Sequence, residues 1–117
     1  MKLNGNFKMN SVTWNFKTVP EQDNELDGDR GKCFYRTNSI VVSENLHDDQ
    51  TRVTLFHELA HAALHETGYN EEIRDGLGAE YERFVTQLGM RMLELVEQFK
   101  YFDKIFKDEE VGYEVLR

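Results

Sequence analysis

The sequence has only one cysteine and one proline in 117 residues. The single thiol, Cys33, cannot form a disulfide within the chain, and there is no Cys-x-x-Cys pair for redox or metal chemistry. No apolar run approaches the roughly 20 residues that a membrane-spanning helix needs, and residues 1–10 lack the apolar segment of a secretory signal. We therefore expect a cytoplasmic protein that neither spans a membrane nor depends on disulfides.

An excess of positive charge is also missing. The chain has 14 Lys and Arg against 22 Asp and Glu, which gives a net charge of −8. Surfaces that bind nucleic acid need clustered basic residues to displace counterions, so we do not expect a nucleic-acid partner. The hydrophobic fraction of 39% and the charged fraction of 31% are typical of a globular protein. The length predicts a single domain over residues 1–117, with its core in about residues 11–107.

Alternating apolar residues predict a small sheet in the first part of the chain. Val12, Trp14 and Phe16 alternate with polar residues, which is the period of a half-buried strand. The acidic segment 21–31 is predicted to be an exposed loop. The first ten residues are predicted to be a ragged strand or a terminal arm. Three further strands are predicted from clearer patterns, at residues 11–19, 32–36 and 39–43.

A long helix is predicted to follow the sheet, over residues 51–68. Asp48 or Asp49 could cap its start, and Gly68 is a plausible stop signal. A sheet of about three strands needs a helix to cover one face. The pattern therefore predicts an α+β fold, with the small sheet packed on this helix.

A second long helix is predicted over residues 79–107, joined to the first by a loop at residues 69–78. Residues 108–117 are predicted to be a short strand or a loose tail. The second helix is expected to pack on the first helix and the sheet through apolar residues at spacings of three and four, which are Phe84, Val85, Leu88, Met92, Leu95, Val96, Phe99 and Phe102.

The first predicted helix contains the pattern H-E-x-x-H, as His57-Glu-Leu-Ala-His61. Residues at i and i+4 of an α-helix differ by about 40° around the axis, so both imidazoles can reach one metal ion. Zinc accepts neutral imidazole nitrogen, and a catalytic zinc keeps three protein ligands and one open position. We predict that His57 and His61 bind Zn²⁺ and that Glu58 is the general base for an attacking water. The competing interpretation is a pair of structural histidines that make ordinary hydrogen bonds.

The third ligand must come from elsewhere in the chain. His65 lies two helical turns from His57, about 12 Å along the axis, so we expect it to support the site indirectly or to lie on the surface. Glu80 is the preferred candidate, because it is in register with Phe84 and Leu88 of the second helix, and an inward carboxylate is costly unless it is paired or bound to metal. Glu82 is the competitor and is predicted to point away, since it is displaced by about 200° from Glu80.

These residues resemble a known family. The segment from His57 to His65 is similar to the H-E-L-x-H-A-x-x-H segment of ImmA/IrrE-type metallopeptidases, which are small gluzincin-like zinc proteins of bacteria, prophages and mobile elements. Their third ligand is a Glu in a pattern resembling E-x-A-N-x-F-A or E-A-N-x-F-A. Glu80 and Phe84 match that pattern, and the Ala-Asn pair is absent. The resemblance covers about two-thirds of the chain, and no helix-turn-helix segment is recognisable.

The resemblance implies a minimal zincin-like fold and a regulatory zinc metalloendopeptidase. Its expected substrate is a protein or peptide, such as a repressor of a phage or mobile element. For the oxyanion that forms during hydrolysis, the sequence leaves Tyr69, Tyr81 and His65 as equal candidates. The alternative functions are a catalytically inactive zinc-bound module for protein interaction and a structural domain without metal. Retention of Glu58 favours an enzyme, because a purely structural metal site needs only the ligands.

Overall fold

The computed structural model describes residues 1–99 and confirms the α+β class. A four-stranded sheet precedes three α-helices within this range, and a 3₁₀ turn at Gly78–Glu80 leads into the last helix. The predicted tail at residues 108–117, and the part of the predicted second helix beyond residue 99, lie outside the described residues. The elements are β1 Asn4–Met9, β2 Val12–Val19, β3 Gly31–Phe34, β4 Ser39–Ser43, α1 Asp48–Glu66, α2 Asn70–Leu77 and α3 Tyr81–Glu97.

The sheet has one strand more than the three that the sequence defines, because residues 4–9 pair with β2. Asn10 and Ser11 join the two strands with φ values of 54° and 63°, the left-handed conformation that a two-residue hairpin requires. The strand order is β1-β2-β4-β3, with β2 and β4 parallel and the other pairs antiparallel. This order leaves β3 at the edge of the sheet.

Helix α1 covers one face of the sheet. The alternation in β2 turns Trp14 inward, where it is fully buried with Ile40 and Val42 of β4 and with Ala62 of α1. The indole Nε1 of Trp14 also donates to a carboxylate oxygen of Glu66 at 2.8 Å, so the sheet is tied to the last residue of α1. These contacts fix the helix that carries the H-E-x-x-H pattern against the sheet.

The acidic segment 21–31 is predicted to be an exposed loop, and its single aliphatic residue is an exception. Leu26 is fully buried and packs with Val19 and Val41 beneath Phe34. The loop therefore closes over part of the sheet and delivers Asp29 to the neighbourhood of β3.

The start and end of α1 follow the predicted boundaries within three residues. His47 precedes the helix and makes no side-chain capping hydrogen bond, so the predicted capping by Asp48 or Asp49 is wrong. Both acids lie in the first turn, where the helix dipole favours negative charge. Gly68 has φ of +79° just beyond the last turn, which agrees with its predicted role as the stop signal.

The predicted loop at residues 69–78 is wrong, because most of it forms α2. Two glycines and several charges suggest a loop, but Ile73 packs against the buried residues between α1 and α3. This contact gives the short helix an apolar anchor. The consequence for the site is that Asn70, the first residue of α2, is buried.

Helix α3 packs closely against α1. Ala60 and Leu64 of α1 are buried with Tyr81 and Val85 of α3. Further along, Gly89 lies so close to α1 that a Cβ built on it would be 2.7 Å from the carbonyl oxygen of Phe56. The two helices therefore approach closely next to His57. Among residues 1–99, no helix is long and apolar enough to cross a membrane.

Candidate metal centre

The two histidines of α1 face α3 together. Their ring centroids are 5.0 Å apart, as expected for neighbours on one helix face. A carboxylate from α3 meets both rings: Glu82 has one oxygen 3.2 Å from Nε2 of His57 and the other 3.6 Å from Nε2 of His61. Donor atoms of these three residues all lie within 4.8 Å of one another. The structure thus gathers two imidazoles and one carboxylate at one point.

The carboxylate is not the one that the sequence predicts. Glu80 is exposed at the end of the 3₁₀ turn, and the polar contact of its carboxylate is with Arg83, at 3.7 Å. The predicted orientation, with Glu80 inward and Glu82 outward, is wrong. The role of third ligand therefore passes from Glu80 to Glu82 as a candidate.

The register of α3 explains this difference. Apolar spacing places Phe84 on the buried face, but Phe84 is 39% exposed, whereas Tyr81 and Val85 are 6% and 0% exposed. Rotating the helix to bury Tyr81 and Val85 turns Glu82 toward α1. Glu82 is also aligned with Gly89, seven residues later and about 20° away around the axis, and at Gly89 the backbone of α3 comes close to that of α1.

The second nitrogen of each imidazole also has a partner. Nδ1 of His57 is 3.2 Å from the hydroxyl of Thr86, one turn after Glu82 on α3. Nδ1 of His61 is 3.2 Å from the hydroxyl of Tyr81, which in turn donates to Oδ1 of Asn70 at 2.5 Å. Both Nε2 atoms are left facing Glu82. Ligating histidines in metalloproteins commonly have such partners on the nitrogen away from the metal.

The donor set fits a catalytic zinc. A tetrahedral zinc with bonds of about 2.0–2.1 Å holds its ligand atoms roughly 3.3 Å apart, and the two Nε2-to-carboxylate distances are 3.2 and 3.6 Å. Burial, as the largest cause, lowers the pKa of His61, although the Glu82 carboxylate opposes it. A lowered pKa keeps the imidazole neutral, as metal binding requires.

Glu58 lies beside the donors but belongs to a different environment. Its side chain is buried next to β3, where a Cβ built on Gly31 would be 3.2 Å from Cγ of Glu58. Burial raises the pKa of Glu58 to about 7, with Glu82 and Asp29 adding to the rise and Lys32 opposing it. A carboxyl group with a pKa near neutrality can both accept and return a proton at physiological pH.

An open cleft of about 560 Å³ joins these groups. Edge strand β3 and the preceding loop form one side of it, α1 forms the floor, and Glu82 stands on the other side. Burial, with Glu58 as a lesser cause, raises the pKa of Cys33 to about 12, so the thiol stays protonated. The lining residues are Asp29, Arg30, Gly31, Lys32, Cys33, Tyr35, Val53, Thr54, His57, Glu58, His61 and Glu82.

A sequence comparison identifies the family of the chain. The model of the peptidase M78 family, described as the IrrE N-terminal-like domain, matches residues 13–109. The chain belongs to this family. It is a metallopeptidase family, so a metallopeptidase-type function follows for the chain at that level. No curated protein matches the chain significantly, and no solved structure does so either.

In this IrrE N-terminal-like domain, two of the remaining sequence candidates, His65 and Tyr69, lie away from the donors, and Tyr81 contacts His61. His65 is exposed and stacks on Tyr35, with ring centroids 4.5 Å apart, so the expectation that it would not be a ligand agrees with its position. Tyr69 is 65% exposed. Tyr81 is buried and already bonded to His61 and Asn70, and burial raises its pKa, which keeps the hydroxyl protonated.

Sequence reasoning missed three residues of this site, Tyr35, Asn70 and Thr86, and it weighed Glu82 as a ligand but predicted that it points away. One signal for α3 was available. Glu82, Thr86 and Gly89 recur at spacings of four and three, and a glycine in the middle of a helix usually has a packing reason. That spacing marks the face on which another helix approaches. For Asn70 the sequence carries no comparable signal, because its burial depends on contacts with α3.

Proposed function

We propose that the chain is a zinc-dependent metalloendopeptidase in which His57, His61 and Glu82 bind Zn²⁺ and Glu58 is the catalytic acid and base. The proposed substrate is a specific protein in the cytoplasm, and the family resemblance suggests a repressor of a phage or mobile element. No role with nucleic acid or membrane is proposed. The observation that carries the proposal is the buried Glu58 in the same cleft as three converging donors.

Glu58 favours an enzyme over an inactive zinc-bound module. Burying a carboxyl group is costly, and the raised pKa of Glu58 means that its charged form is destabilised there. A protein that only held a metal would need the donors and not this acid. A carboxyl group beside the metal donors is useful for hydrolysis, because water must lose a proton and the leaving amine must gain one.

In the proposed mechanism, His57, His61 and Glu82 would hold the zinc, which would supply Lewis acidity toward the attacking water and the scissile carbonyl. Glu58 accepts a proton from the attacking water on the β3 side of the cleft. It then passes this proton to the nitrogen of the leaving amine. Edge strand β3 and the open cleft leave room for an extended peptide, since β3 pairs with β4 on one side only.

Tyr35 is proposed as the donor to the developing oxyanion. It lines the cleft, and burial, as the largest cause, raises the pKa of its phenol well above the ordinary value, so the group remains a donor. Tyr69, the exposed candidate, does not line the cleft. A Tyr35→Phe variant that kept full turnover with unchanged zinc content would remove Tyr35 from this role.

Digestion of a peptide library derived from bacterial proteins tests the proposal. Wild-type protein loaded with one zinc per chain should cleave a subset of peptides, and a chelator should stop cleavage. Glu58→Gln should keep zinc and fold while losing about 10²–10⁴-fold in turnover, the usual contribution of general acid–base catalysis. A zinc-loaded wild type that cleaves no peptide, or that is matched in turnover by Glu58→Gln, would contradict the proposal.

A further inference from the structure

The side chain of Asn70 is buried at a place where the sequence predicts an open loop. It is 7% exposed, and its neighbour Tyr81 is 6% exposed. Asn70 is the first residue of α2 and Tyr81 the first residue of α3. Buried polar side chains must be paired, and these two pair with each other at 2.5 Å. The pair joins the starts of two helices directly behind His61.

The direction of these hydrogen bonds follows from the chemistry of the groups. Oδ1 of Asn70 is a carbonyl oxygen and can only accept, so the single hydroxyl proton of Tyr81 is donated to it. The oxygen of Tyr81 can then only accept from Nδ1 of His61, 3.2 Å away. His61 must therefore carry its proton on Nδ1. Its lone pair is left on Nε2, which faces Glu82 at 3.6 Å.

His57 lacks this control. Its Nδ1 is 3.2 Å from the hydroxyl of Thr86, and within residues 1–99 that hydroxyl has no second hydrogen-bond partner to fix its proton. The hydroxyl can therefore donate to the ring or accept from it. Thr86 therefore does not fix the tautomer of His57 in the way that Tyr81 fixes that of His61. In the metal-free protein the Glu82 carboxylate, 3.2 Å from Nε2 of His57, can only accept and favours a proton on that nitrogen.

We propose that Asn70 and Tyr81 form a relay, from α2 through α3 to α1, that positions His61 for metal by fixing its proton on Nδ1. This inference rests on the proposed metal site and identifies Asn70 and Tyr81 as positioning residues for it. The relay removes the free-energy cost of selecting the right tautomer when metal binds. It also accounts for the burial of Asn70, the first side chain of α2.

The tautomer can be measured without metal. Long-range ¹H–¹⁵N NMR spectra of the histidine side chains distinguish Nδ1–H from Nε2–H, and at about pH 8 an ordinary imidazole is neutral. In metal-free wild type we expect His61 as the Nδ1–H form. Tyr81→Phe keeps the buried ring but removes the acceptor, so His61 should shift toward the Nε2–H form.

Thr86→Val is the matched control, because it removes the hydroxyl beside His57 and leaves the relay intact. It should change the signals of His57 and leave the tautomer of His61 as in wild type. Asn70→Ala should act on His61 like Tyr81→Phe. Asn70→Asp should restore the Nδ1–H form, because a carboxylate still accepts the Tyr81 proton.

Zinc affinity gives the second readout, by competition with a chromogenic chelator. Tyr81→Phe and Asn70→Ala should weaken zinc binding by about 10–100-fold, the usual effect of losing a partner of a ligating histidine, and Asn70→Asp should stay within a few-fold of wild type. His61 in the Nε2–H form in wild type, or unchanged by Tyr81→Phe, would overturn the relay. Wild type that binds no zinc would instead overturn the proposed function, while the tautomer measurement would still decide the relay.

Discussion

The two sides of the cleft contribute different chemistry. The α3 wall, made of Tyr81, Glu82 and Thr86, contacts the two imidazoles and supplies the candidate third ligand. The sheet wall, made of Asp29, Gly31 and Lys32 with Cys33, surrounds Glu58. Burial is the largest cause of the raised pKa of Glu58, and Glu82 of the α3 wall adds to the rise. The two walls therefore contact neighbouring residues of the same helix, α1.

This division means that metal binding and proton transfer can be disturbed separately. His57 and His61 turn toward α3, whereas Glu58 turns toward β3, because adjacent helical residues are about 100° apart around the axis. A change in the α3 wall should therefore alter metal affinity first. A change in the sheet wall should alter the protonation or position of Glu58 and leave the metal in place.

The largest expected effect is on the stability of metal-free protein in the Glu58→Gln variant. Folding raises the pKa of Glu58 from 4.5 to about 7, so the folded state loses stability as pH rises from about 4.5 to 7 and no more above that range. Glutamine does not ionise. Glu58→Gln should therefore match wild type near pH 4 and exceed it by up to about 3 kcal/mol at pH 8, at about 1.36 kcal/mol per pKa unit.

Urea denaturation at several pH values, in the presence of a chelator, measures this difference. Glu80→Gln is the control, because Glu80 is an exposed acid and its replacement should change stability by less than about 0.5 kcal/mol at every pH. A pH-independent difference between Glu58→Gln and wild type would show that the sheet wall does not destabilise the charged form of Glu58.

The next effect concerns the contact that holds the α3 wall in place. In Gly89→Ala the new Cβ would be 2.7 Å from the carbonyl oxygen of Phe56 and 3.0 Å from Cα of His57. These are backbone atoms that cannot rotate away, so α3 must shift. We expect a loss of about 1–3 kcal/mol in the free energy of unfolding and weaker zinc binding, because Glu82 and Thr86 move with the helix.

Gly76 provides the control for this change. It also lies in a helix, but a Cβ built on it would have no neighbouring atom within 4 Å among the described residues. Gly76→Ala should raise stability by about 0.5–1 kcal/mol through helix propensity and should leave zinc affinity unchanged. A Gly89→Ala variant that gained stability in the same way and kept its zinc affinity would show that the close approach of α3 does not position Glu82.

The smallest expected effect on stability comes from Gly31→Ala, in the sheet wall. The nearest atoms to the new Cβ are side-chain carbons, the methyl group of Thr54 at 2.7 Å and Cγ of Glu58 at 3.2 Å, and the carbonyl oxygen of Val41 follows at 3.3 Å. Stability should fall by about 1 kcal/mol or less. Peptide turnover should fall more than zinc affinity, because Glu58 is displaced and the donors are not. Equal losses of turnover and zinc affinity would show that a change in the sheet wall also disturbs the metal donors.

The sequence predicts the local part of the site well and the tertiary part poorly. His57 and His61 share a face because of their spacing alone, and helical structure around them is enough to place them. The choice between Glu80 and Glu82 depends on the rotation of α3 about its axis. Apolar residues lie on several sides of that helix, with Phe84, Leu95 and Val96 exposed in the structure. Apolar spacing therefore cannot decide which face is buried.

The sheet shows the same limit. A strand with clear alternation, such as β2, is predicted within one residue at its start. Residues 4–9 are regular only because they pair with β2, and the segment 69–78 is helical because Ile73 finds a buried partner surface. Both depend on contacts between elements, which local patterns do not encode.

The most direct measurement is a zinc competition titration of wild type, Glu82→Ala and Glu80→Ala. We expect one zinc per chain for wild type and for Glu80→Ala, with affinities within a few-fold of each other. Glu82→Ala should bind zinc more weakly by a factor greater than the roughly 10–100-fold of a lost supporting partner, because a ligand itself is gone. Loss of zinc in Glu80→Ala with retention in Glu82→Ala would contradict the site formed by His57, His61 and Glu82.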